Sequence, residues 1–180
     1  MKNIVSFLFA ISVCAGAQAA QTINVSGKLQ NSTSKDAVVA FYAEYEATSS
    51  LPTCKTYSLP ELEFRSRPKI KQRLHFMAGN NFQAEIPAEF GVCNYKITSA
   101  GVIVLSPEII KSMLSQGAEQ AEDNVIEFKG GLSGIARLKG GEQKSNTLNC
   151  AWDHAYSANC DSEEIVSNGS SIQVNVNLKN

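Results

Sequence analysis

The sequence predicts a mainly β, antiparallel β-sandwich, immunoglobulin-like or related, with one short helix near 106–116. Three observations predict it. Apolar and polar residues alternate with period two, most cleanly near the C-terminus, where Ile172, Val174, Val176 and Leu178 interleave with Ser171, Gln173, Asn175 and Asn177. Successive strand side chains point to opposite faces, so this pattern describes sheets with one buried face, which favours antiparallel pairing. Turn signals such as Asn31-Ser32-Thr33-Ser34, Gly79-Asn80-Asn81 and the glycines of 130–141 separate these stretches at short intervals. A single segment has helical spacing.

Taken in order, the chain opens with Lys2, an apolar run from Ile4 to Cys14 and the small-residue pattern Ala17-Gln18-Ala19. That is an export signal, with residues 1–19 removed and 20–180 left as a single domain. The apolar run is too short to span a bilayer, and no later stretch is long enough. Gln21 to Leu29 alternates, with Ile23, Val25, Gly27 and Leu29 inward. Ala37 to Glu46 is a second strand. Ser49 to Pro60 reads as loop, and a long strand then runs from Glu61 to Met77, broken near Pro68, which cannot donate to a ladder. The turn at 79–81 predicts a hairpin between 70–77 and 82–86. Val92 to Leu105 is a further strand. Ser106-Pro107-Glu108 then has helix-start chemistry, Ile109, Ile110, Met113 and Leu114 share a helical face, and Gly117 is the stop. Glu119 to Asp123 reads as loop and Val125 to Phe128 as strand. Ile135 to Leu138, between glycines, reads as a loose strand, and Thr147 to Trp152 leads into the last strands. Eight or nine strands result.

The domain after export has 161 residues (180 − 19), with 15 basic residues against 17 acidic, a net of −2. Such a balance gives no global argument for nucleic acid or membranes. Four cysteines remain: Cys54, Cys93, Cys150 and Cys160. An even count in an exported chain reads as two disulfides. Pairing Cys54 with Cys93 and Cys150 with Cys160 closes the shorter loops. A zinc site is disfavoured, because neither close Cys pairs nor matching His spacing is present. The expected compartment is the periplasm or the exterior.

Two stretches stand out as recognition surfaces. In 61–77 the positions Arg65, Arg67, Lys69, Lys71 and Arg73 fall on one strand face, opposite Leu62, Phe64, Ile70, Leu74 and Phe76. Five cations about 7 Å apart, from a rise of ~3.4 Å per residue, repel unless acids or a partner neutralise them. Glu44, Glu46 and Glu85 are the internal candidates. Otherwise the row is an aggregation guard on an edge strand or a face for an acidic protein partner. Nucleic acid is excluded by the export signal and by the absence of aromatics among the cations. The second stretch is Cys150 to Cys160. If bridged, it stiffens a loop holding Trp152, Asp153, His154 and Tyr156; Trp and Tyr are favoured interface anchors, and a closed loop loses less entropy on binding.

Catalytic chemistry has little to stand on. The domain has two histidines, His75 and His154, and no Gly-x-Ser-x-Gly elbow. Asp161, Glu163 and Glu164 lack the spacing of a calcium loop, and the 130–141 glycines lack a phosphate-loop Lys. No metal, cofactor or catalytic residue is therefore expected. The reading is a non-enzymatic exported binding protein of the immunity or inhibitor type. Thr22-Ile-Asn-Val-Ser-Gly27, the Cys54/Cys93 spacing and the alternating C-terminal strand resemble chaperone–usher fimbrial subunits. That resemblance implies an incomplete immunoglobulin-like domain completed by a neighbour's strand. The chain departs from the family in placing Cys54 27 residues after Gly27, in ending Leu178-Lys179-Asn180, and in its second cysteine pair and its helix. A structural subunit is thus one alternative. A polysaccharide-binding module with an aromatic platform of Trp152, Tyr42 and Tyr45 is another.

Overall fold

The computed structural model describes residues 21–30, 37–58, 65–77, 79–140, 146–152, 158–160, 164–167 and 170–179. The elements in order are β1 (Thr22–Gln30), β2 (Val38–Ala47), a 3-10 turn (Pro52–Cys54), β3 (Lys55–Ser58), β4 (Arg65–Pro68), β5 (Ile70–Met77), β6 (Asn81–Pro87), β7 (Glu89–Phe90) and β8 (Tyr95–Leu105). They continue with α1 (Pro107–Ser115), β9 (Glu119–Glu122), β10 (Val125–Phe128), β11 (Ala136–Gly140), β12 (Thr147–Trp152), β13 (Ala158–Cys160), β14 (Glu164–Ser167) and β15 (Ser171–Lys179). Mostly strand with one short helix, the chain has the predicted fold class.

One sheet runs β13-β12-β15-β1-β6 and the other β14-β11-β8-β2-β5-β10-β9, with β7 also on β8. β3 and β4 form a separate two-stranded ribbon. The sandwich is not wholly antiparallel: β1 and β12 both flank β15 in parallel, and β11 lies parallel to β14. These partners are far apart in sequence, so long crossovers rather than hairpins join them.

The alternating strands place their apolar sets between the sheets. Val25 and Leu29 of β1, Phe82 and Ile86 of β6, Leu148 of β12, and Ile172, Val174, Val176 and Leu178 of β15 meet Val39, Phe41, Tyr45, Met77, Val102 and Val104 of the second sheet. Burying each large apolar side chain contributes about 1.5–3 kcal/mol. Gly27 sits where a Cβ would collide with the Val174 backbone and the Phe82 ring, so glycine lets β15 and β6 close over β1. The outer face of the second sheet is also covered. Ala40, Tyr42, Leu74, Ile103, Leu105, Ile126 and Phe128 form a smaller core under Ile109, Ile110 and Met113 of α1. The helix starts as its sequence directs. Ser106 Oγ accepts from the Ile109 N–H at 3.4 Å, Pro107 takes the first position, and Gly117 turns away with φ 97°. This double cover explains why β2 is apolar on both faces.

Three expectations about local structure are corrected. Residues 70–77 and 82–86 are not a hairpin, since β5 belongs to one sheet and β6 to the other. The Gly79-Asn80 turn carries the chain across the sandwich, and β6 pairs with β1. The segment 49–60 is not all loop, because Lys55–Ser58 pairs antiparallel with Arg65–Pro68. Thr56 and Tyr57 have strand preference that the flanking prolines mask. Glu119–Glu122 is a strand, fully exposed at a sheet edge, and an edge strand with two solvated faces shows no hydrophobic alternation. Residues 61–64, the first part of the predicted long strand, lie outside the described residues.

Both predicted disulfides are present, Cys54–Cys93 and Cys150–Cys160. The second ties directly opposed residues of β12 and β13. Among the described residues no helix is long and apolar enough to cross a membrane.

Candidate functional site

The row of five cations is two different structures. Among the described residues β4 pairs only with β3, and Thr56, Tyr57, Ser66, Arg67 and Pro68 are all exposed, so the ribbon presents exposed side chains on both faces. β5, in contrast, is a central strand between β2 and β10. Its Lys71, Arg73 and His75 lie opposite Tyr45, Ala43 and Phe41, which puts them on the face turned toward the first sheet. Arg73 is only 7% exposed and His75 6%. The expectation of an unbroken outward basic face is therefore overturned beyond Lys69. The pairing partner changes at Lys69, whose N–H donates to the Cys54 carbonyl at 3.0 Å and whose carbonyl accepts from the Ala47 N–H at 2.9 Å.

Acids neutralise the inner half, though not the ones expected. Lys71 Nζ donates to both Glu127 carboxylate oxygens at 2.7 and 2.8 Å. Arg73 Nε reaches Glu127 Oε2 at 3.4 Å and Nη1 lies 3.6 Å from Glu122. The guanidinium also stacks 3.7 Å over the Phe90 ring, and Lys71 lies 5.4 Å from the Tyr95 ring centroid. Glu127 is set directly opposite Arg73 by the β5–β10 register. Of the predicted neutralisers, Glu44 instead accepts from Gln72 Nε2 at 3.1 Å and from the Tyr42 hydroxyl at 3.2 Å on the other face.

Next to this cluster the sandwich is open. A cleft of about 480 Å³ lies between β6 and the β5–β10–β9 side of the second sheet, with His75, Phe76, Glu85, Ile86, Glu122 and Asn124 among its lining. Tyr45 donates its hydroxyl proton to the Pro87 carbonyl at 2.9 Å. Its contact with His75 Nε2 at 3.4 Å then requires the ring N–H to donate. Burial, with the Arg73 charge adding to it, pushes the His75 ring down to about 4, so the ring is neutral at ordinary pH. Burial also raises the Tyr45 hydroxyl. Among the described residues the one side-chain hydroxyl bonded to His75 is that of Tyr45, no Ser, Thr or Cys side chain reaches it, and no group of three His, Cys, Asp or Glu side chains is placed to hold a metal.

The other candidate surface is at the opposite end of β5. Among the described residues, four of the five exposed large hydrophobic side chains, Leu51, Tyr57, Ile70 and Val92, sit around the Cys54–Cys93 bridge. Val92 is 93% exposed. Segments 47–58 and 65–69 add Lys55, Arg65, Arg67 and Lys69 and no acid. The bridge and the bonds from the Thr48 and Ser49 N–H groups to the Asn94 and Cys93 carbonyls hold these segments together. Sequence reasoning found the cations and missed the apolar residues. The signal was present in the spacing, because Leu51 and Val92 each stand within three residues of a bridged cysteine.

Trp152 is half-buried and rests against the main core. Asp153, His154 and Tyr156 lie outside the described residues, as does the side chain of Arg65. Tyr42 and Tyr45 are buried, so they form no platform with Trp152. Compared with known proteins, the chain matches no family model, no curated protein and no solved structure.

Proposed function

We propose that this chain is an exported, non-enzymatic binding protein of the immunity or inhibitor type, which recognises an acidic protein partner through the β3–β4 ribbon and the bridge at its base. The observation that carries this reading is the gathering of Leu51, Tyr57, Ile70 and Val92 with Lys55, Arg67 and Lys69 around the Cys54–Cys93 disulfide. Apolar anchors with a charged surround are the composition of an interface, and a cross-linked base limits the entropy lost on docking. Two disulfides suit an oxidising compartment, which together with residues 1–19 supports the periplasm or exterior. Of the five cations, Arg67 and Lys69 belong to this face, whereas Lys71 and Arg73 serve the interior.

The test is capture of a partner from an extract of exported proteins by the immobilised chain. Arg67→Glu and Val92→Asp should each lower recovery of the same partner at least tenfold, and raising ionic strength should release it. Undiminished recovery by both variants sinks the assignment. Loss by Trp152→Ala alone moves the site to the Cys150–Cys160 segment. A second reading, a structural subunit of a surface assembly, is favoured by one observation: among the described residues nothing pairs with the outer edge of β6.

A further inference from the structure

The geometry points to a second recognition site, in which the open edge of β6 accepts an extended segment of a partner protein that alternates apolar and cationic residues. This rests on the reading of the chain as a binding protein, but not on the ribbon. The hydrogen-bond register supplies the first argument. Ala88 N–H donates to the Gln21 carbonyl and Leu29 N–H to the Asn80 carbonyl, both at 2.8 Å, at the two ends of the β1–β6 ladder. In an antiparallel pair, residues alternate between bonding their neighbour and facing away. Residues 80, 82, 84, 86 and 88 therefore serve β1, while 81, 83, 85 and 87 turn outward. Pro87 has no N–H, and its carbonyl is taken by Tyr45. Asn81, Gln83 and Glu85 are left with three N–H and three C=O groups along the cleft, and no described strand pairs with them.

Edge strands are usually blunted by lysines, bulges or inner prolines. β6 has none of these over its seven residues: its register with β1 is unbroken and its proline is the last residue. The cleft also has the depth an added strand needs. Side chains of such a strand that point the same way as Phe82, Ala84 and Ile86 would enter the space beside Ile86 and Val125, which suits apolar residues. Those pointing the other way would stand beside Glu85.

Charge then selects the partner. Glu85 and Glu122 line the cleft, and the segments that carry them, 79–88 and 119–126, contain no Lys or Arg. The nearby Arg73 is buried and turned to Glu122 and Glu127. A second copy paired edge to edge would bring two acidic rims together, whereas a Lys- or Arg-bearing strand would meet them favourably.

Two fluorescent heptapeptides test this on the full chain, Lys-Val-Lys-Val-Lys-Val-Lys and its counterpart with Glu for Lys, by anisotropy at low ionic strength. The Lys peptide should bind at least tenfold more tightly. Gln83→Pro should weaken it at least tenfold with the circular dichroism unchanged, because the N–H removed is not bonded to β1. Glu85→Lys combined with Glu122→Lys should reverse the preference and stands as the readout if Gln83→Pro does not fold. Arg67→Glu should leave peptide binding intact, so the ribbon assignment and this one fail separately. Absence of binding at millimolar peptide, or binding indifferent to Gln83→Pro in a folded variant, overturns the proposal. So does concentration-dependent dimerisation in sedimentation that Gln83→Pro abolishes, which would make a second copy the occupant.

Discussion

Arg67 and Arg73 are six residues apart on what reads as one charged strand, yet their surroundings are opposite. Arg67 stands in water on a two-stranded ribbon. Arg73 is inside the protein, between the Phe90 ring and two carboxylates. The change of strand partner at Lys69 is the dividing point. Before it, cations remain available to a partner. After it, the same residue types balance Glu122 and Glu127 beside a neutral histidine. A run of like charge is thus not one functional unit. Strand position within the sheet decides which part of it is surface.

The largest effect that would break this contrast is on stability. Arg73→Ala removes the ring stack and leaves Glu127 to Lys71 alone. It should cost about 3 kcal/mol or more, in the range for removing one partner of a buried pair, read as a lower urea midpoint with an unchanged slope. A loss under about 1 kcal/mol would show that the guanidinium is solvated and that the two arginines are alike after all.

The next effect is on pH dependence. His75 titrates lower in the folded chain, at about 4, than its ordinary 6.5. A base with a depressed folded pKa contributes stability above its unfolded pKa and loses it as protons bind the unfolded chain. Stability should therefore decline as pH falls from 6.5 toward 4, by up to ~3 kcal/mol from this residue. Glu85 and Glu122 line the same cleft and Glu127 pairs with Arg73, so a reference protein that keeps these carboxylates and lacks the histidine is needed. Subtracting the profile of His75→Leu isolates the histidine. Identical slopes in the two proteins would mean that water reaches the ring freely.

The sandwich itself was legible. Period-two alternation placed β1, β2, β8 and β15, the Ser106-Pro107 start placed α1, and loop length chose the disulfides correctly. The division of the basic strand was not legible, for a physical reason. Alternation assigns residues to two faces but does not say that either face is solvent. β5 is covered on both, by α1 over Leu74 and by the Tyr95, Phe90 and Tyr45 rings over Lys71, Arg73 and His75. Its charged face reads as outer only if one face must be wet. Glu127, the acid that resolves the conflict, lies 54 residues from Arg73 in sequence, and no local pattern links them. The arch at 79–81 hid the β6 edge in the same way, because a hairpin reading pairs the strand that the fold leaves open.

The smallest expected effect sharpens the comparison most. Arg67→Ala should change stability by no more than about 0.5 kcal/mol, the usual range for a surface substitution away from special features. Its backbone role survives the change, since the bond from Thr56 Oγ1 at 3.3 Å goes to the Arg67 carbonyl and not to the side chain. The same substitution should weaken partner capture and flatten its salt dependence, because it removes a cation from a screened interface. Stability and binding should thus separate at Arg67. At Arg73 they should fall together, since loss of binding there would follow loss of folded protein. If Arg67→Ala destabilises the chain as much as Arg73→Ala does, the ribbon is part of the folded core, and its cations are no freer to meet a partner than those of β5.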